Sequence, residues 1–188
     1  MKNKFLWCVA LLGISLLAYP QSAEVDLVNN NQPEREEWLK DAGFGMFIHW
    51  NIDAQLGTVI SHSLVGSSEA YADKYIKELP ATFNPVDWDP EKIAILARNA
   101  GMKYLVFTTK HHNGFCFWDT ESTDFNIMNT PYNKDILAGL VESCRRHGLA
   151  VGFYFSTEDF VFSYQQGIKD IKRTDHWEHT KSIRAEYE

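Results

Sequence analysis

The chain has 188 residues, a formal net charge of −7, and 45% apolar, 14% aromatic and 23% charged residues. That balance excludes a disordered chain and a multi-span membrane protein, and the acidic excess argues against a nucleic-acid partner, which needs a basic face. The length suits one domain or a piece of a larger one.

Residues 1–23 read as a signal peptide rather than as part of the fold. Lys2 and Lys4 precede the apolar run Phe5–Ala18, and Gln21-Ser22-Ala23 supplies a cleavage zone. The run is short for spanning a bilayer, so the expectation is export, with no membrane association once the signal is removed. Residues 24–33 follow as a linker. Residues 34–188 then alternate strand-like and helix-like segments.

Pro33–Ala42 reads as a short helix ended by Gly43, and Phe44–Trp50 as a strand covered on both faces. A polar stretch follows, with helix through Glu69–Lys77. Asp89-Pro90 is an N-cap with proline in the first helical position, opening a helix over Glu91–Ala100 that Gly101 stops. Met102–Thr109 is a second strand, Asp135–His147 a helix closed by Gly148, and Leu149–Ser156 a third strand. Thr174–Glu188 opens a further helix. Cys116 and Cys144 could pair in an exported protein, although two buried thiols fit equally well.

Strands joined by helices predict an α/β protein with parallel pairing. A doubly wound sheet should carry a glycine-rich phosphate cradle after its first strand, and Ile48-His49-Trp50-Asn51 has none. Polar and aromatic residues gather instead just past each strand: His49 and Trp50, then Lys110-His111-His112-Asn113, then Tyr154 and Ser156. Barrel active sites are built there, which favours a (β/α)₈ TIM-type barrel. A barrel of that kind needs eight βα units and about 250 residues. The chain supplies about three units, so a truncated barrel is the expectation.

His111 and His112 can serve one site only where the strand ends and bends, and Gly114 supplies a permissive backbone there. Neutral imidazoles donate and accept hydrogen bonds, which suits sugar hydroxyls. A three-histidine metal site from His49, His111 and His112 is the competing reading, and ordinary loop histidines a third. Trp50, Phe115, Phe117 and Trp118 could offer apolar faces to a sugar or simply fill a core. Glu69 follows Ser67-Ser68 and fits either a pocket carboxylate or a first-turn dipole partner. Glu158 and Asp159 lie in the right region, but no two carboxylates stand at a defined spacing for glycoside hydrolysis.

Phe44-Gly45-Met46-Phe47-Ile48-His49-Trp50 resembles the first-strand motif of family 29 glycoside hydrolases, the α-L-fucosidases. So do Phe83-Asn84-Pro85 with Trp88-Asp89, Ala100 to Tyr104, Lys110 to Phe115, Trp118-Asp119 and Gly152 to Ser156, over roughly Trp38 to Asp159. The resemblance implies a (β/α)₈ catalytic domain, retaining hydrolysis of terminal α-L-fucosyl residues, a fucosylated glycan as substrate, and no metal cofactor. It implies that His49, Trp50, Glu69, His111, His112 and Tyr154 bind the sugar. It places the nucleophilic aspartate at the end of a fourth strand and the acid/base later still, both expected beyond residue 188. A catalytically dead carbohydrate-binding fragment and a histidine-ligated metal hydrolase are the alternatives. The sequence departs from the family pattern at Asn51 (usually Gly), Asn113 (usually Asp) and Ala70 (usually Trp).

Overall fold

In a computed structural model the described residues are 32–58 and 61–171. Three parallel strands, β1 (Gly45–Ile48), β2 (Tyr104–Lys110) and β3 (Ala150–Phe155), form one sheet in the order β1-β2-β3. Among the described residues five α-helices accompany them: α1 (Pro33–Ala42), α2 (Glu69–Thr82), α3 (Pro90–Asn99), α4 (Ile136–Arg146) and α5 (Phe160–Gln165). The α/β alternation and parallel pairing follow the sequence pattern. Among the described residues the sheet has three strands and does not close into a barrel. The expected signal peptide, nearly all of the expected linker and the expected Thr174–Glu188 helix lie outside the described residues.

Local chemistry explains the helix ends. Asp89 accepts from the Lys92 N–H at 3.0 Å and Asp135 from the Ala138 N–H at 2.7 Å, so one of the unpaired donors at each helix start is not left to water alone. Gly101 and Gly148 take φ of 82° and 69°, the left-handed conformation that lets the chain leave α3 and α4 for the next strand. Helices α3 and α4 pack on each other and bury Ala94, Ala97, Ile136, Leu140 and Cys144, while Leu105 and Phe107 of β2 are wholly buried. Each such large side chain contributes about 1.5–3 kcal/mol over an exposed one. Cys116 and Cys144 are both free and buried, so the structure takes the two-thiol alternative. Burial pushes the Cys116 thiol up to about 12.

Three features differ from the sequence pattern. Helix α2 runs to Thr82, through Pro80, because side chains collect the carbonyls at that end: Gln55 Nε2 donates to Leu79 O at 2.9 Å and Thr82 Oγ1 to Glu78 O at 3.1 Å. Helix α5 has no apolar repeat long enough to announce it, and it starts where Asp159 accepts from the Phe162 N–H at 2.8 Å. Finally, only the central strand is covered on both faces. Phe47 on β1 and Phe153 and Phe155 on β3 are more than half exposed.

Candidate sugar-binding site

The strand register decides which side chains meet. Phe47 pairs with Val106 and Val106 with Gly152, so two residues further on His49, Thr108 and Tyr154 belong to the same face. Thr108 Oγ1 donates to Ile48 O at 3.2 Å and Thr109 Oγ1 to Tyr154 O at 3.0 Å, clamping the ends of β1 and β3 onto β2. Between Thr108 and Lys110 the pairing slips, a bulge that re-aims whatever follows the strand. Gly114 then turns the chain with φ 88°, and a Cβ there would strike the Asp159 carboxylate.

The result is a cluster of four rings from the sequence-based set. His49 and His111 lie 4.8 Å apart, His111 and His112 4.7 Å, and Tyr154 stacks on His111 at 5.4 Å, with ring centroids as the reference points. His111 is buried and His49 exposed. Burial first, then the neighbouring His112, His49 and His62, hold the His111 imidazole down to about 3, so it is neutral at ordinary pH.

Two of the expected residues stand elsewhere. Trp50 stacks on Trp88 at 5.1 Å and on Phe117 at 4.9 Å and also meets Phe83 and Phe107. Among the described residues its ring contacts are with core aromatics and not with the histidines, because consecutive residues at a strand end face opposite ways. Phe115 and Phe117 are likewise buried in the core. Glu69 is exposed in the first turn of α2, where Ser68 caps by accepting from the Tyr71 N–H at 3.3 Å. Its carboxylate sits as a helix-dipole partner would.

Ser61, His62 and Phe160 carry no sequence signal of their own. His62 stacks on His112 at 5.4 Å, and Phe160 of α5 stacks on His112 at 5.7 Å. Ser61 Oγ hydrogen-bonds His111 Nδ1, and Glu158 Oε2 lies 3.0 Å from His112 Nδ1. Lys110 Nζ donates to the carbonyls of Ser156 at 2.9 Å and Glu158 at 3.2 Å and pairs with Asp159 at 3.2 Å, which fixes the loop carrying both acids. The Phe160 N–H donates to His112 O at 2.7 Å and ties α5 to the histidine loop. A cavity of about 390 Å³ opens beside Lys110 and Asp159, lined also by Trp118, Phe125 and Phe155, and the histidines do not line it.

Beneath the cluster Asp53 is fully buried and surrounded by donors. Ser63 Oγ and Asn113 Nδ2 hydrogen-bond it, and Tyr75 Oη donates at 2.8 Å. Asn51 accepts from the Asp53 N–H at 2.8 Å. Two of the three departures from the family pattern, Asn51 and Asn113, thus converge on one buried carboxylate. An aspartate at position 113 would set two carboxylates together without water, whereas Asn113 supplies the donor Asp53 needs. These departures belong to the support of the site rather than to its open face.

Among the described residues no group of three or more His, Cys, Asp or Glu side chains is arranged to hold a metal ion. No helix among them is long and apolar enough to cross a membrane.

A family model described as α-L-fucosidase matches residues 15–187. The tissue α-L-fucosidase of Rattus norvegicus is 29% identical over 167 residues, covering 80% of this chain and 36% of the rat protein. Among solved structures, a family 29 α-L-fucosidase from Bacteroides thetaiotaomicron, trapped as a covalent intermediate with 2-fluoro-fucosyl fluoride, is similar with TM-score 0.60 and 34% identity. That match covers 70% of this chain and 32% of that one. An α-L-fucosidase from Lactobacillus casei in complex with α-L-fucose is similar with TM-score 0.51 and 35% identity, covering 66% and 41%. The chain spans about a third of the length of the tissue enzymes it matches.

Proposed function

The chain belongs to the α-L-fucosidase family, glycoside hydrolase family 29, and from that premise we propose that it forms the sugar-holding part of an exported retaining α-L-fucosidase. The observation that carries this reading is the convergence of His49, His111, His112 and Tyr154 at the ends of three parallel strands. The imidazole cluster with a tyrosine offers donors and acceptors to several hydroxyls, and its buried member His111 is neutral, so it sets no fixed charge against an uncharged sugar. Residues 34–188 are the first part of a (β/α)₈ barrel whose remaining strands cover the exposed Phe47 and Phe155. Export rests on the apolar run Phe5–Ala18 behind two lysines.

Chemically, retention needs two carboxyl groups, one attacking the anomeric carbon and one protonating the leaving oxygen. We assign neither to this chain: Glu158 and Asp159 are occupied by His112 and Lys110, and Glu69 stands apart. The nucleophile and the acid/base are expected beyond residue 188. The part played here is differential binding, since hydrogen bonds to hydroxyls that tighten as the ring flattens lower the barrier. The test is turnover of an aryl α-L-fucoside by the full-length protein, beside the matching β-D-galactoside and α-D-glucoside. Release of the aryl group from the fucoside alone supports the reading. Binding of L-fucose with no turnover of any of the three would instead make the protein a carbohydrate-binding remnant.

A further inference from the structure

Neighbouring histidines in one pocket are usually interchangeable on paper, yet the partners of these two differ in kind. The His112 backbone N–H donates to His111 Nδ1 at 2.9 Å, and a backbone N–H can only donate. The lone pair of His111 is therefore at Nδ1, where the buried Ser61 hydroxyl also reaches it. A neutral His111 then carries its proton on Nε2. For His112 the neighbour is a carboxylate: Glu158 Oε2 lies 3.0 Å from Nδ1, at ion-pair distance, and an ionised carboxylate favours a ring proton over a lone pair on that side. A neutral His112 then carries its proton on Nδ1, facing that carboxylate, and its lone pair on Nε2.

We infer that His111 and His112 are held in opposite tautomers, and that Glu158 is the positioning residue that sets the second. Any group hydrogen-bonding at His111 Nε2 must accept, and any group hydrogen-bonding at His112 Nε2 must donate. The two rings stand at 85° with centroids 4.7 Å apart, so the donor and the lone pair address adjacent positions. Resting on the sugar reading above, this deepens it. Of two neighbouring hydroxyls on the fucosyl ring, one is bound through its oxygen lone pair and the next through its proton. The site thereby reads the polarity of each hydroxyl as well as its place. Glu158 is held for this task from its backbone, since Lys110 Nζ bonds its carbonyl at 3.2 Å while pairing with Asp159.

The test uses the full-length protein labelled with ¹⁵N-histidine, its ring signals assigned by loss in single-histidine variants and recorded at pH 7.5. The expected spectrum shows His111 protonated at Nε2 and His112 at Nδ1. In Glu158→Gln the amide carbonyl still accepts and the His112 signature stays. In Glu158→Leu it moves to the Nε2–H form. A wild-type His112 that is Nε2–H or doubly protonated, or a His112 unmoved in Glu158→Leu, overturns the inference. Should the leucine variant fail to fold, the wild-type and glutamine spectra decide. The second readout is inhibition by monofluorinated L-fucoses, because fluorine accepts weakly and never donates. One ring position should lose at least about tenfold on fluorination and its neighbour markedly less. Glu158→Leu should narrow that difference and Glu158→Gln preserve it. Equal losses at both positions in the wild type would overturn the polarity reading. Opposite tautomers in a protein that binds no L-fucose would support the tautomer assignment and sink the sugar reading instead.

Discussion

His49 and Trp50 are bonded neighbours at the end of β1, and they serve two different regions. His49 joins His111 and Tyr154 on the exposed face of the sheet, whereas Trp50 turns to the other side and stacks between Trp88 and Phe117. The first region is polar and titratable, with the Ser61 hydroxyl and a backbone N–H hydrogen-bonding His111 and the Glu158 carboxylate 3.0 Å from His112. The second is an aromatic cluster in which Phe107, Phe115 and Phe117 are buried almost completely. The lesson is that the same motif carries chemistry and packing in alternate residues, and that the period of the strand divides them.

The largest effect expected from this division is on the packing side. Trp50→Ala should cost about 3 kcal/mol of stability by opening a cavity among Trp88, Phe83 and Phe117. Urea denaturation of the full-length protein measures it, and the KM for a fucoside should stay near that of the wild type. Preserved stability with a raised KM would return Trp50 to the sugar site. On the chemical side, His112→Ala should remove about 1–3 kcal/mol of transition-state binding, read from kcat/KM, with little change in the denaturation midpoint. Wild-type kcat/KM in that variant would break the assignment.

Acid should act on the histidine cluster and on the ion pairs of Glu91 at different pH. His111 has a folded value of about 3 against an ordinary 6.5, so as pH falls the unfolded ring takes its proton first. The stability that a neutral His111 contributes is complete above pH 6.5 and drains as pH falls towards about 3. Glu91, beside Arg146 and His147, is a carboxylate lowered to about 2. Its contribution is present above its ordinary 4.5 and is lost only as pH falls through about 2. Between pH 6.5 and 4.5, His111→Asn should therefore flatten the stability profile and Glu91→Gln should not, as urea midpoints across that window would show. The smallest expected effect is none: chelators should leave fucoside hydrolysis unchanged, because a pair of carboxylates needs no Lewis acid. Stoichiometric zinc lost together with activity would revive the metal reading of His49, His111 and His112.

Much of this was legible in the sequence because its signals are local. The caps Asp89 and Asp135 and the stops Gly101 and Gly148 define α3 and α4 within a residue or two. The convergence of His49, His111, His112 and Tyr154 follows from the position of each at or just past the C-terminal end of a strand. The division between His49 and Trp50 was also available, since the alternation that forbids two adjacent histidines on a straight strand applies equally there. His62 was not available: it lies in a polar stretch without periodicity, and only the docking of α5 and its Phe160 brings it against His112. Glu158 could be placed near the site but not given a partner, because that depends on how Lys110 and Asp159 fold the loop. Asp53 gave no sign of its burial, and its three donors come from segments 10, 22 and 60 residues away.

A crystal structure of the full-length protein with L-fucose bound tests the central claim most directly. The account predicts sugar hydroxyls within hydrogen-bonding distance of His49, His111 and His112, with Trp50 still stacked on Trp88 and Phe117. A fucose seated against Trp50, or one that leaves all three histidines without a sugar contact, would contradict it.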